Sequence, residues 1–176
     1  IRSWAIAEMK DTARAAKKFG VKVVNGFTGS PIWTRWYSYP QTSEEMVEAG
    51  FQLIYDLWTP IFDVFDECGV KFALEVHPSE IAFDYYTSRR ILEKFNYRET
   101  LGFNYDPSHL VWQGVNEVAF IRKFANRIYH VHMKDVKLFN NEMAGVLGSF
   151  LPFGDTRRKS NFVSLGHGYP DFDGII

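Results

Sequence analysis

The segment VKFALEVHP, residues 70–78, decides the fold class of this chain. It is short and mostly apolar, it follows a helix-like segment that Gly69 closes, and it ends at Pro78. These features predict a strand buried on both faces, as in a parallel sheet. Because side chains alternate along a strand, the even-numbered apolar residues share one face, and Glu75 and His77 share the other. A buried carboxylate is costly unless a cation, a metal ion or hydrogen-bond donors meet it, so Glu75 is predicted to have such a partner.

Helix-like and strand-like segments alternate along the chain. In order, the pattern predicts a helix over 3–19, a strand over 21–27, a loop over 28–42, a helix from Ser43 to about Glu67, a strand over 70–76, a loop and then a helix over 79–96, a strand over 101–106, a helix over 114–126, a strand over 127–133, a long loop from Asp135 to about Pro170, and a helix beginning near Asp171. This alternation predicts a parallel sheet with helices outside it.

The chain shows no linker, repeat or low-complexity tract, which indicates one domain over residues 1–176, or part of one. Neither a GxGxxG turn after the first strand nor a GxxxxGK[ST] loop is found, so dinucleotide-binding and P-loop folds lack their signatures.

Composition and charge exclude several classes of protein. The 176 residues are 46% hydrophobic and 17% aromatic, with a formal net charge of -1, as expected of a folded globular chain. Nothing indicates a basic nucleic-acid-binding surface or a polybasic membrane anchor, and no apolar run approaches the about 20 residues that span a bilayer. Cys68 is the only cysteine, so no intrachain disulfide can form. We therefore expect a cytoplasmic protein with no nucleic-acid or membrane partner, and a homo-oligomer is left open.

Polar side chains gather at the ends of three predicted strands. These ends are ALEVHP (73–78), FNYDPSH (103–109) and YHVHMKD (129–135). Parallel α/β folds build their active sites at the carboxyl ends of their strands. In the last segment, alternation places His130, His132 and Lys134 on one face, which is predicted to point into the barrel, with the apolar residues facing the helices.

Glu75, Asp106 and His132 are the candidate metal ligands. Taken singly, Glu75 could pair with a buried Arg or Lys, Asp106 could cap the following helix, and His132 could be a satisfied core histidine. Together, two carboxylates and an imidazole from successive strand ends predict a divalent-metal site with oxygen and nitrogen ligands. Cys68 is not near these motifs, so a site for Mn²⁺, Mg²⁺, Co²⁺ or Zn²⁺ is favoured over a structural cysteine–zinc site.

Three motifs carry a resemblance to a known family. EVHPSEIAFD (75–84), FNYDPSHLVWQG (103–114) and IYHVHMKDV (128–136) resemble the sugar phosphate isomerase/epimerase family of the xylose isomerase-like TIM barrels, from about Val21 onward. That superfamily also includes apurinic endonucleases similar to endonuclease IV. The resemblance implies an α/β fold, a (β/α)8 TIM barrel, of which this chain covers about four strands, the third to the sixth, with their helices. The other strands are expected before Ile1 and after Ile176.

The resemblance also implies one divalent ion, held by Glu75, Asp106, His132 and a second Glu on a later strand beyond this sequence. With three of the four ligands, the 176 residues alone are expected to bind metal weakly and to turn over little substrate. A half-barrel is further expected to leave apolar faces uncovered, at Val24, Leu74 and Val131.

The implied reaction is a sugar isomerisation or epimerisation, in which a proton moves next to a carbonyl group through an enediolate. Glu75 is expected to be one acid/base, beside a divalent ion for which Mn²⁺ is the first candidate. His77 and Lys134 are expected to bind sugar hydroxyls or the developing oxyanion. His109 matches a substrate-binding histidine of sugar epimerases and an additional metal ligand of the endonucleases.

Two loops add candidate substrate contacts. In SPIWTRWYSYP (30–40), Trp33 or Trp36 could stack on a sugar ring, or could pack over the barrel mouth. In GDTRRKS (154–160), Arg157 or Arg158 could bind a phosphate or carboxylate, or could belong to a solvated loop.

Three other functions stay open. The same site could run a metal-dependent elimination, as a lyase or dehydratase, on a keto-sugar or an inositol derivative, because proton abstraction next to a carbonyl is the shared first step. An apurinic endonuclease would need several metal ions and a basic groove, which the near-neutral charge does not favour. A non-catalytic sugar-binding module would bind sugar but exchange no substrate proton.

Overall fold

The computed structural model describes residues 1–37, 39 and 41–176, which form two compact units. The first unit comprises Ile1–Asn104 with Arg127–His130, and the second comprises Tyr105–Asn126 with Val131–Ile176. The predicted loop over 28–42 includes Ser38 and Pro40, which lie outside the described residues. The single domain expected over 1–176 stays a prediction.

A parallel sheet forms the centre of the first unit. Its strands are β1 (Val23–Gly26), β2 (Lys71–Glu75), β3 (Leu101–Tyr105) and β4 (Ile128–Val131), with only the last residue of β3 and of β4 assigned to the second unit. Their order in the sheet is β1-β2-β3-β4, and the β1–β2 and β2–β3 pairs are parallel. Strands that are consecutive in sequence are therefore neighbours, as in a (β/α)8 barrel and unlike a doubly wound sheet, whose order reverses. The four predicted strands are confirmed, each with tighter bounds.

The helices of the first unit are α1 (Arg2–Phe19), α2 (Glu44–Cys68) and α3 (Tyr85–Lys94). Helices α1 and α2 show helix-end signals that the sequence predicted, at Gly20, Ser43 and Gly69. Helix α1 stops at Gly20, whose φ of 74° lies in the left-handed region that favours glycine. The backbone N–H of Met46 donates to the Ser43 hydroxyl oxygen over 3.3 Å, which confirms Ser43 as the N-cap of α2.

Aromatic rings of α2 cover one face of β2. The ring centroid of Phe72 lies 4.7 Å from that of Trp58, 5.9 Å from Phe62 and 5.8 Å from Phe65. Leu74 shares this face of the strand and is fully buried. The expectation that Leu74 would be uncovered is therefore wrong, because the face that it shares with Phe72 packs on helix α2.

The second unit contains short helices and a two-stranded antiparallel sheet. Its elements are α4 (Pro107–Val111), α5 (Glu117–Phe124), β5 (Asp135–Leu138), β6 (Ser160–Val163) and α6 (Phe172–Ile175). Helix α4 was not predicted, α5 is shorter than the predicted helix over 114–126, and α6 begins where expected. In the small sheet Asp135 stands opposite Val163, and Leu138 stands opposite Ser160.

This small sheet corrects the prediction of an uninterrupted loop from Asp135 to about Pro170. Strands of four residues are too short to show a period, and each depends on a partner far away in sequence. Val131 is 43% exposed, which agrees with the expectation that a half-barrel leaves this residue uncovered. The prediction that Val131 and Met133 both face helices is not met, because Met133 is also 39% exposed. Among the described residues, no helix combines the length and apolarity that crossing a bilayer requires.

Candidate metal centre

Glu75 is the last residue of β2 and is almost fully buried. It stands opposite Asn104 of β3, whose side-chain Nδ2 donates to Oε2 of Glu75 over 3.2 Å. An amide orients a carboxylate but brings no positive charge. Asn104 therefore gives Glu75 one hydrogen-bond donor and no positive charge.

The loop after β2 holds His77 and a carboxylate that the sequence analysis did not single out. The ring of His77 meets the ring of Phe27 edge-on at 5.6 Å, and its Nδ1 contacts the carbonyl oxygen of Pro78. Glu80 is buried, and its Oε2 accepts hydrogen bonds from the backbone N–H of Thr28 (2.8 Å) and of Gly29 (2.6 Å). Burial raises the pKa of Glu80, against the lowering effect of these donors. The HPSE motif, with a second acidic residue after Glu75, was the signal available in the sequence.

Asp106 directly follows β3 and uses its two carboxylate oxygens differently. Oδ1 accepts hydrogen bonds from the backbone N–H of Ser108 (2.9 Å) and from its hydroxyl (2.6 Å), so Asp106 does cap helix α4. Oδ2 is buried and receives no hydrogen bond from any described residue. Oδ1 therefore caps helix α4, and Oδ2 remains available to a cation.

His132 lies one residue beyond β4, in the same unit as Asp106. Its backbone N–H donates to the carbonyl oxygen of Tyr105 over 2.8 Å, which fixes its place beside the end of β3. A side-chain ligand atom of His132 lies within 4.8 Å of one of Asp106. Two ligands of one divalent ion are about 3 to 4 Å apart, so small side-chain rotations suffice to share an ion. A buried carboxylate and an imidazole are also the donor types that such ions accept in proteins.

Lys134 and His109 complete this polar cluster of the second unit. The Nζ atom of Lys134 lies 2.9 Å from Nε2 of His109 and 3.5 Å from Oδ2 of Asp106. Nε2 of His109 lies 3.3 Å from the same Oδ2. His109 is almost fully buried, and its ring meets the ring of Phe162 edge-on. Phe162 was missed by the sequence analysis, because it belongs to the strand β6 that was taken for a loop.

Trp33 and Arg157, the loop residues predicted to contact a substrate, have partners within the chain. Trp33 meets the edge of Phe83 at a centroid distance of 5.4 Å, which is the packing alternative for this residue, and Trp36 is half exposed. Arg157 donates through Nε and Nη2 to the two carboxylate oxygens of Asp155, at 3.0 and 2.6 Å. These hydrogen bonds lower the pKa of Asp155 to about 2. The substrate-binding roles of Trp33 and Arg157 stay predictions.

Comparison with known proteins places the fold. The sequence profile described as xylose isomerase-like TIM barrel matches residues 1–176. The uncharacterised protein YfiH of Bacillus subtilis is 28% identical over 171 residues, which are 89% of this chain and 54% of YfiH. The inosose dehydratase of Clostridium beijerinckii is 35% identical over 78 residues, 41% of this chain and 24% of that enzyme.

Three solved structures have the same fold as this chain. A probable 3-DHS dehydratase, AsbF of Bacillus anthracis, superposes with a TM-score of 0.73 at 18% identity, over 99% of this chain and 59% of AsbF. The IolI protein with a bound zinc atom gives 0.65 at 23% identity, over 97% of this chain and 53% of IolI. A D-tagatose 3-epimerase-like protein gives 0.62 at 20% identity, over 99% and 57%. The chain thus spans a little over half the length of YfiH and of these three structures.

Proposed function

Since this chain belongs to the family of xylose isomerase-like TIM barrels, we propose that it is the metal-binding part of a divalent-metal-dependent sugar isomerase or epimerase. The reaction moves a proton next to a carbonyl group, through an enediolate. One observation carries the proposal: the buried Oδ2 of Asp106 has no hydrogen-bond donor among the described residues, and a ligand atom of His132 lies within 4.8 Å of a ligand atom of Asp106. A buried carboxylate oxygen without a hydrogen-bond donor is stabilised by a cation beside it. The Lys134 ammonium group, 3.5 Å away, is one such cation, and a divalent ion would bind the oxygen directly.

Glu75 is the third proposed ligand. It pairs with Asn104, which precedes Asp106 by two residues, and side chains two residues apart share a face of an extended chain. The donor set of two carboxylates and one imidazole suits Mn²⁺, and Mg²⁺, Co²⁺ and Zn²⁺ are the alternatives. The zinc atom bound to IolI, a protein of the same fold, supports a divalent ion.

The chain's own residues have separate tasks in the proposed reaction. When bound, a divalent ion supplies Lewis acidity that polarises the carbonyl group and stabilises the negative charge next to it. The Glu75 carboxylate takes a proton from the substrate carbon or returns one to it. His77, His109 and Lys134 hold sugar hydroxyls, with Lys134 supplying the positive charge. Trp33 would stack on the ring, and Arg157 would have to exchange Asp155 for a phosphate of the substrate.

Metal binding by the complete protein tests the ligand set. Asp106→Asn and His132→Ala should each weaken Mn²⁺ binding, measured by isothermal titration, by more than the about 10- to 100-fold that loss of an outer partner causes. Asp155→Asn is the matched control, because its carboxylate pairs with Arg157 and should leave Mn²⁺ affinity unchanged. Unchanged affinity in both ligand variants would refute the site.

Proton exchange tests the reaction. The complete protein with Mn²⁺ is incubated with a panel of keto-sugars in D₂O, and deuterium should enter at the carbon next to the carbonyl group of one of them. A sugar that binds without any deuterium uptake would contradict catalysis and favour a non-catalytic sugar-binding module.

A dehydratase is the second candidate, because an inosose dehydratase shares 35% identity with this chain over 78 residues. The first step is the same proton abstraction, after which a hydroxyl group leaves as water from the next carbon. Product analysis separates the two functions. An isomer or epimer of unchanged mass supports the isomerase, and a product lighter by one water supports the dehydratase on a keto-sugar or inositol derivative.

A further inference from the structure

The ring of Phe162 contacts Lys134 and His109, whose side chains lie beside the Asp106 carboxylate. The Nζ atom of Lys134 lies 3.9 Å from the centroid of the Phe162 ring, which is a cation–π distance. The ring of His109 meets the same ring edge-on, with centroids 5.6 Å apart and an interplanar angle of 78°. One aromatic ring thus contacts both the ammonium group and the imidazole beside the Oδ2 atom of Asp106.

Two contacts orient Phe162, one through its backbone and one through its ring. Phe162 stands opposite Val136 in the β5–β6 sheet, which fixes its backbone. Its ring stacks on Phe153, with centroids 5.5 Å apart and planes within 22°. Phe153 in turn lies 4.5 Å from the guanidinium carbon of Arg158, which donates to the carbonyl oxygens of Leu151 and Ser160. These contacts restrict the orientations open to the Phe162 ring, which is 37% exposed.

We infer that Phe162 is a positioning residue of the site, whose ring keeps the Lys134 ammonium group beside Asp106 and His109. A lysine side chain has four rotatable bonds, and that of Lys134 is 37% exposed, so water competes for its ammonium group. The ring gives this ammonium group a second favourable contact, and this contact leaves the Asp106 carboxylate free to bind a metal ion. Lys134 can then stay at the site when a metal ion binds Asp106. This inference rests on the proposed function, which gives Asp106 and Lys134 their roles.

The first test needs neither metal nor sugar. In the complete protein labelled with [¹³Cε]lysine, Lys134→Arg identifies the Lys134 signal by its disappearance. In the wild type, the Hε signal of Lys134 should lie upfield of the lysines that contact no aromatic ring, because the face of an aromatic ring shields protons above it. Lys71, whose Nζ lies 4.4 Å from the centroid of the Tyr129 ring, should share this shift and should keep it in all Phe162 variants. Phe162→Leu should remove this shift, and Phe162→Tyr, which keeps the ring, should retain it. Phe19→Leu, at an exposed phenylalanine of α1, should leave it unchanged. An unshifted Lys134 signal in the wild type would overturn the inference even if Phe162→Leu does not fold.

The second test uses the keto-sugar that exchanges deuterium. Phe162→Leu should raise its KM by about 3- to 10-fold with less effect on kcat, and Phe162→Tyr should restore KM. Unchanged KM in Phe162→Leu would overturn the positioning role, even where the Lys134 signal has moved. If no sugar exchanges deuterium, the proposed function fails, and the Lys134 signal still decides whether Phe162 holds the ammonium group.

Discussion

The Nζ atom of Lys134 lies 2.9 Å from the Nε2 atom of His109. An ammonium group only donates, so a hydrogen bond between the two groups requires Nε2 to accept and the ring proton to lie on Nδ1. The Oδ2 atom of Asp106, 3.3 Å from the same Nε2, then receives no proton from His109. In this arrangement Lys134 supplies the positive charge at this carboxylate, and His109 accepts a hydrogen bond from Lys134.

The first prediction concerns this tautomer. ¹⁵N NMR of histidine-labelled protein should show His109 neutral and protonated at Nδ1, because the Lys134 ammonium group occupies Nε2. Lys134→Met should release this constraint and bring the Nε2–H form into the spectrum. Lys137→Met, at an exposed position of β5, is the matched control and should change nothing. A wild-type His109 protonated at Nε2 would contradict the assignment.

The second prediction concerns Glu75. Glu75→Gln keeps the size of the side chain and can still bond to Asn104, but it cannot take a proton. At saturating Mn²⁺, with metal content measured, it should lower deuterium exchange into the keto-sugar by at least about 100-fold while the fold survives. Glu93→Gln, an exposed glutamate of α3, should keep full activity. Retention of more than about a tenth of the exchange rate in Glu75→Gln would remove Glu75 from the acid/base role.

Local signals predicted most of the fold and the closeness of two candidate ligands. Gly20 and Ser43 mark helix ends by their own conformational and hydrogen-bonding preferences, so a single sequence suffices to read them. The polar strand ends predicted that Asp106 and His132 would lie close together, because parallel strands end at one edge of the sheet. Glu75, as the third ligand, stays a prediction.

What the sequence did not predict depends on pairing between distant segments. The strands β5 and β6 are joined by residues 139–159, and no short-range pattern indicates which residues will pair across such a length. Phe162 was missed with β6, since its role comes from the ring contacts with Lys134 and His109. Glu80 was missed because its partners, Thr28 and Gly29, follow another strand.

The third prediction concerns the aromatic packing between α2 and β2. Phe72 is fully buried against three aromatic rings, so Phe72→Ala should lower the free energy of unfolding by about 3 to 5 kcal/mol, measured by denaturant titration. Phe19→Ala, at a position 84% exposed, should change it by no more than about 0.5 kcal/mol. Equal effects at the two positions would show that this face of β2 is not the core of the first unit.

The fourth prediction concerns the pH dependence of stability through Glu80. Burial raises the pKa of Glu80 in the folded state above its value in the unfolded chain, so the folded state binds the proton more tightly. The contribution of Glu80 to stability is therefore greatest below the unfolded pKa, near pH 4.5, and is lost as the pH rises through the raised folded pKa. Glu80→Gln removes the ionisation while its amide oxygen can still accept hydrogen bonds from Thr28 and Gly29.

The difference in unfolding free energy between Glu80→Gln and the wild type should therefore change monotonically with pH. It should be constant below about pH 4 and should change in favour of Glu80→Gln as the pH rises above the unfolded pKa, as followed by denaturant titration at a series of pH values. Glu93→Gln controls for the loss of an exposed carboxylate and should lack this slope. A slope of the opposite sign would mean that the backbone N–H groups of Thr28 and Gly29 outweigh burial and hold Glu80 ionised. Glu80 would then anchor the loop after β1 as a carboxylate rather than as a neutral acid.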